Sequence, residues 1–461
     1  MPPTRVVAVL TISMDHGSPN FLKAVAMADA PEGPPDSLEG DFGRLVEGHA
    51  TGHVRPTSVE EVVAAVASAR RTGGRLTIRA NAHSFGGQAV PHRSEVLDLT
   101  GLDSVWVEGA TAVCGPGVTL RQVVDATLPQ GLLPRTLTNL LDLTVGGLLS
   151  VGGIGPASQA AGPLVANVSS LTVVTPEAAL VTCSKTERRE LFDAVLCGLG
   201  QYGVIVEAQL VLREVLPHVR TFHLLYDDHR AWLEDQMKLA GTVTAMEGGC
   251  VPVPLGLRGT GGVRRPYITW MFPLQIATEY DEIPPALPSG VVPYRILHVE
   301  DDETRFFPAR HDARFAAMKR LGGWDLPHPT VSALIDPESL LDLLPELLAA
   351  IPPTIGEAHR QVAMVDVRDA PALFPGAGRG LMAFFNVMHG GAPPGLLEAA
   401  MAGIGQVRNL VIDAGASTYA ADWLGSPGDA VPDSVDARVA AKKAHDPHGL
   451  FCSRLLSAPG P

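Results

Sequence analysis

In RPTSVEEVVAAVASARRTGG, Arg55 to Gly74, apolar side chains return every three or four residues, the period of a helix with one buried face. Thr57 or Ser58 stands where a cap is needed, Glu60 and Glu61 follow, and Gly73 and Gly74 supply the stop. The pattern then shortens. RLTIRA, EVLDLT, SVWVEG and TAVCG predict strands, and TLRQVVDATLPQG predicts a helix capped by Thr119 and stopped by Gly131. Such alternation implies α+β or α/β layering. After Arg213, VRTFHLLYDDHRAWLEDQM and RRPYITWMFPLQIATEY predict strands and helices of a second unit, or the continuation of one large domain, with PVPLGLRGTGGVRRP as a loop between them. DARVAAKKAHDPHGLFCSRLL predicts a closing helix ended at Asp446-Pro447. Residues 1 to 35 end in a proline and acid mixture and predict a peripheral leader, with ordered structure starting near Phe42.

Composition adds limits. At 46% hydrophobic and 18% charged residues, the chain can build a large core. A net charge of -14 opposes phosphate backbones and anionic lipid, so neither nucleic acid nor a membrane is an expected partner. Five cysteines, widely spaced and without a C-x-x-C pair, argue against a disulfide scaffold or a thiolate metal site. Cys183 and Cys197 are expected to pack as small core residues. A cytoplasmic location is expected, since the N-terminal apolar run is brief and lacks a small-residue cleavage site.

Two glycine-bearing loops are the candidate chemistry. One is RANAHSFGGQAV, Arg79 to Val90; the other runs from Thr138 to Pro163, with Gly146, Gly147, Gly152, Gly153 and Gly155 inside ten residues. Bare backbone lets main-chain N–H groups approach an anionic or planar ligand, although tight turns alone would use glycine in the same way. Neither a G-x-G-x-x-G fingerprint at a strand-to-helix turn nor a P-loop is present. His83 is either a loop histidine bound to backbone or an exposed nucleophile or ligand.

Taken together, ANAHSFGGQA, LTVGGLLSVGGIG, AGPLVANVSSLTVV, LVTCSK and ELFDAVLCGLGQYGVIVEAQL resemble the vanillyl-alcohol oxidase type of flavoprotein, with the PCMH-type FAD-binding fold, and most closely the cytokinin dehydrogenases. RLGGWDLPHPTVSALI, STYAADW and AHDPHGLF resemble later family segments more faintly. The resemblance implies a two-domain α+β fold: an FAD domain over 36 to 214, an inserted substrate domain of antiparallel sheet and helices over 215 to 419, and a return to the FAD domain over 420 to 461. It implies FAD joined covalently to His83, which falls on the family's linked histidine. The pyrophosphate would lie over Ala80, Asn81, Ala82, His83 and Ser84, helped by Gln88. Asn139, Thr144, Gly146, Gly147, Ser150, Ile154 and Val204 would lie along the rest, with Tyr419 near the ring. Berberine-bridge relatives add a cysteinyl link, but no cysteine lies between Cys114 and Cys183, so a single tether is expected.

The departures matter as much. The family's catalytic aspartate is Asn139 here, and an amide cannot take a proton. Asp142 is a candidate displaced base, weighed against a carboxylate pointing away from the flavin. A second acidic family position falls on Trp270, and two loop glycines are replaced by Ala80 and Ala82, tolerable only if their φ stays negative. His328 reads as a structural turn residue, while Glu247 and Asp325 read equally as solvated, capping or pocket-lining. The expected function is FAD-dependent removal of a hydride and a proton from a small organic amine or alcohol, with oxygen or another electron acceptor. A bacterial secondary-metabolite tailoring enzyme is expected; the alternatives are a cytokinin dehydrogenase with a displaced base and a non-catalytic flavin-fold binding protein.

Overall fold

The computed structural model describes residues 38–260, 263–351, 358–420 and 432–453, which lie in one compact unit. The predicted leader and part of STYAADW fall outside the described residues.

The first helix forms at Val59–Thr72 for the reasons its pattern gives. Ser58 Oγ accepts from Glu61 N at 3.3 Å, Val62 and Val66 face the core, and Gly73 stops the helix at φ 68°. Thr119 and Gln122 close a reciprocal cap on the helix Leu120–Thr127, and Gly131 ends the following turn at φ 70°.

Three sheets carry the rest. His49–Val54, His92–Asp98 and Leu76–Arg79 form a small parallel sheet. Val105–Glu108, Thr111–Cys114, Val204–Glu214, Val168–Val174 and Leu180–Ser184 form an antiparallel sheet, with Leu132–Pro134 on the long strand Val204–Glu214. The largest, nine-stranded among the described residues, takes its strands from His218 to Thr418 and is antiparallel throughout. Mixed helices and antiparallel sheets agree with the α+β expectation.

Alternation along the large sheet divides its faces. Leu274, Val362 and Phe385 pack with Trp232, Leu344 and Val407 of the helices His229–Leu239, Pro337–Ala350 and Pro394–Asp413. Leu334, Val365, Met382 and Phe384 face the other way and join Leu148, Leu149 and Tyr202 in the core beneath the glycine loops. The helix Pro432–His445 returns to this side, where Arg438 donates to Cys197 O at 2.8 Å and Lys442 to Gln201 O at 3.0 Å.

One predicted loop is a strand. Val251–Thr260 pairs with Val263–Tyr280 despite Pro252 and Pro254. Because it pairs along one side only, proline's missing N–H costs no ladder bond on the open side. All five cysteines are free and buried, and no helix among the described residues is long and apolar enough to cross a membrane.

Candidate functional site

The strand Leu76–Arg79 delivers the chain into the first loop, which Asp41 then shapes. Its Oδ2 accepts from Ser84 Oγ at 2.8 Å and from Gly87 N at 2.7 Å. Burial pushes the Asp41 pKa up to about 6, against the pull of these donors and Arg79. The loop's carbonyls turn outward, Ala82 O accepting from Phe42 N and Ser84 O from Gly43 N. The N–H groups of Asn81 through Phe85 donate to no protein acceptor among the described residues. Five consecutive spare donors beside a cavity are what a diphosphate requires.

That cavity measures about 300 Å³ and opens between the two glycine loops. From the first loop come Ala80, Asn81, Ala82, His83, Ser84 and Gln88; from the second come Thr144, Gly146, Gly147, Ser150 and Ile154; Tyr419 closes it. Gln88 is already engaged, its Oε1 accepting from Gly86 N and its Nε2 donating to Ala420 O at 2.7 Å, so it ties the loop to the returning chain. Tyr419 is fixed as well, its hydroxyl accepting from Gly153 N at 3.0 Å and its ring edge-on to Phe384.

His83 lines the cavity half-buried, with Phe42 at 5.2 Å and Trp324 at 5.9 Å between ring centroids. Its ring has no hydrogen-bond partner among the described residues. Burial pushes its pKa down to about 4, helped by Lys319 and His328 and opposed by Asp142. A neutral imidazole with an unshared nitrogen facing a cavity suits a covalent attachment point. The residues therefore fit FAD by three features: spare main-chain donors, open glycine backbone and an available imidazole.

Three expected residues lie elsewhere. Val204 packs in the core with Val174, Val206 and Leu76, and its strand neighbours Gly203 and Ile205 line the cavity instead. Successive strand residues face opposite sides, so a one-residue offset decides the matter. Asn139 follows the lining residue Thr138 but is turned toward the large sheet: its Nδ2 donates to Glu247 Oε2 at 3.2 Å and its Oδ1 accepts from Arg310 at 3.2 Å. Asp142 pairs with Arg121 at 2.8 Å and lies 3.9 Å from Lys319, half-exposed. It is not among the lining residues.

Spacing could not reveal the group around Asn139. Glu247 also contacts Arg310, and His311 Nε2 lies 3.0 Å from its Oε2. Burial raises the Glu247 pKa, but the His311 hydrogen bond and the Arg310 charge outweigh it and hold the carboxyl down at about 2. Both arginine and histidine come from the end of the turn Thr304–Ala309 and the start of the helix Asp312–Arg320. That helix spans the site: Asp312 pairs with Arg121, Lys319 lies over the Trp324 ring at 5.0 Å, and Trp324 meets His83 edge-on.

The other expectations resolve separately. His328 is fully buried, stacked on Phe42 at 4.2 Å, with its ring nitrogens against the carbonyls of His389 and Trp324, a structural role. Trp270 lies under the Arg360 guanidinium at 5.1 Å, and Asp325 makes an exposed pair with Arg44. Ala82 sits at φ 49°, the strained case for a non-glycine residue.

Residues 50–184 match the FAD-binding domain family. The oxidoreductase ORF5 of the fasciation locus in Rhodococcoides fascians is 37% identical over 203 residues, 44% of this chain and 46% of that protein. The chain thus spans about half the length of that relative. Cytokinin dehydrogenase 8 of Oryza sativa subsp. japonica is 29% identical over 84% of this chain and 81% of its own. Cytokinin dehydrogenase 2 of Arabidopsis thaliana is 28% identical over 66% of each. With a cavity built largely from the matched segment, the chain carries an FAD-binding domain and is similar to an oxidoreductase and to the cytokinin dehydrogenases.

Proposed function

We propose that the chain removes a hydride and a proton from a small organic amine or alcohol, using FAD linked through His83. The carrying observation is the neutral imidazole in the cavity wall, without a hydrogen-bond partner among the described residues, beside five main-chain donors that are spare among those residues. When bound, FAD supplies the hydride acceptor. The chain's residues do the remaining work. Asn81 to Phe85 hold the diphosphate, Gly146 and Gly147 give the cofactor close backbone approach, and Trp324 and Phe384 exclude water.

In this reading residues 36–214 and 420–461 serve the cofactor, and the large sheet within 215–419 serves the substrate. Asn139 orients a substrate N–H or O–H rather than deprotonating it. Asp142 is assigned to holding Arg121 and the neighbouring helix, because its ion pair supports that role better than proton transfer. Oxygen or another acceptor would be the final destination of the electrons. A bacterial tailoring role in secondary metabolism remains our choice for the pathway class, supported by composition alone. Cytoplasmic residence suits five free, buried cysteines.

The names of the plant relatives favour a second reading, oxidation of a cytokinin, with Asn139 standing against their usual proton acceptor. Anaerobic mixing of the flavin-loaded protein with amines and alcohols, isopentenyladenine among them, tests both. Bleaching by an amine or alcohol is the expected result, and its restriction to isopentenyladenine supports the second reading. A bound flavin that none of them bleaches would establish a binding protein and overturn the oxidoreductase reading.

A further inference from the structure

The reading above leaves the substrate proton without an acceptor. Asn139 is an amide, Asp142 is committed to Arg121, and the Glu247 carboxylate is ion-paired with Arg310. One basic nitrogen in the cluster is unused. His311 Nε2 lies 3.0 and 3.2 Å from the two Glu247 oxygens, so an ionised Glu247 accepts from Nε2–H and selects the tautomer whose Nδ1 carries the lone pair. Nδ1 has no partner among the described residues, and the side chain does not cap the helix that begins beside it.

Sheet register places Glu247 on the face of the large sheet from which Phe384 lines the cofactor cavity, although neither Glu247 nor His311 is itself a lining residue. An added Cβ on Gly248 would meet the Trp232 ring at 2.6 Å, so Gly248 faces the helices and its neighbour Glu247 faces the glycine loops. Gly248 pairs with Val362, and the adjacent Ala363 pairs with Phe384, which lines the cavity. Glu247 is therefore two strands from Phe384 on the same face, roughly 10 Å at ordinary strand spacing. Ala363 between them leaves a shallow floor. From the opposite side Asn139 reaches Glu247 directly from the lining residue Thr138.

We propose that His311, oriented by Glu247, is the base that takes the substrate's N–H or O–H proton, with Asn139 as a positioning residue for the same group. This rests on the oxidoreductase reading. The substrate's N–H or O–H bond breaks as its proton bonds to Nδ1, the adjacent C–H electron pair leaves as hydride to the flavin oxidant, and a C=N or C=O bond forms. The imidazolium then returns its proton to water. The charged groups around the ring are the Glu247 carboxylate, which it contacts, and Arg310 and Arg314 on the same segment. Asp312 is spent on Arg121, and His359 of the strand Ala358–Asp366 contacts Arg314.

The test compares flavin-loaded wild type with His311→Gln and Glu247→Gln, mixed anaerobically with primary amines, secondary amines and alcohols, isopentenyladenine included. The His311→Gln protein is expected to keep its flavin but to bleach about 100- to 10,000-fold more slowly and to lose the acid limb of the wild-type pH profile. Nitrogen NMR of resting wild type should show His311 protonated at Nε2 and bare at Nδ1, a preference lost in Glu247→Gln. An unimpaired His311→Gln protein, or a resting proton on Nδ1, overturns the proposal alone. If no probe bleaches the wild type, the oxidoreductase reading falls and the proposal with it.

Discussion

Ala82 carries a cost that its neighbours do not. At φ 49° its Cβ crowds the following carbonyl, a conformation about 1 to 2 kcal/mol worse for alanine than for glycine. Its carbonyl nevertheless keeps the Phe42 N–H at 2.9 Å, so the surroundings impose the strained geometry. Ala82→Gly is expected to raise stability by about 1 kcal/mol in denaturant unfolding, after allowing for glycine's looser unfolded chain. An unchanged or lowered midpoint would contradict the strain. Glu247 gives the opposite case. Removing its charge leaves the largely buried Arg310 without its carboxylate, and breaking such a pair costs on the order of 3 kcal/mol. The folded Glu247 pKa lies below its ordinary 4.5, so its stabilisation is present above that value and drains away as pH falls toward about 2. Unfolding curves across that window should be flatter for Glu247→Gln than for wild type, and equal slopes would remove the ion pair from the account.

Among the elements, the helix Asp312–Arg320 is held over the site mainly by charge: none of its residues is fully buried. Arg121 links Asp142 on one side to Asp312 on the other, with distances of 2.8 Å to both. Arg121→Ala should therefore speed backbone hydrogen exchange over 312–320 while leaving the helix Val59–Thr72 unaffected. Uniform exchange, or no change, would show that the helix is fixed by packing instead. The helix Val59–Thr72 itself depends on its cap, and Ser58→Ala should cost about 1 kcal/mol in unfolding free energy. Its limits were legible because cap, period and stop are all local in sequence. The strand at Val204–Glu214 was legible too, but which of Val204 and Ile205 meets the cofactor cavity was not, since one residue reverses the face. Val251–Thr260 escaped detection because prolines and glycines usually mark loops, and only its partner strand reveals an edge position.

Across the whole molecule, the glycine loops and His83 could be read from a contiguous stretch because a cofactor cradle is made largely of adjacent main-chain atoms. The Asn139, Glu247, Arg310 and His311 group could not. Its members are separated by 108 residues from Asn139 to Glu247 and 63 from Glu247 to Arg310, and only the stacking of the large sheet against the loop layer unites them. The same stacking brings an ionised carboxylate, Glu247, and an imidazole, His311, to the side chain of Asn139. The central claim is the attachment of flavin to His83, and acid precipitation measures it most directly. Wild-type protein should carry its flavin absorbance into the denatured pellet, and His83→Ala should leave its flavin in the supernatant. Complete release of flavin from acid-denatured wild type would contradict the attachment.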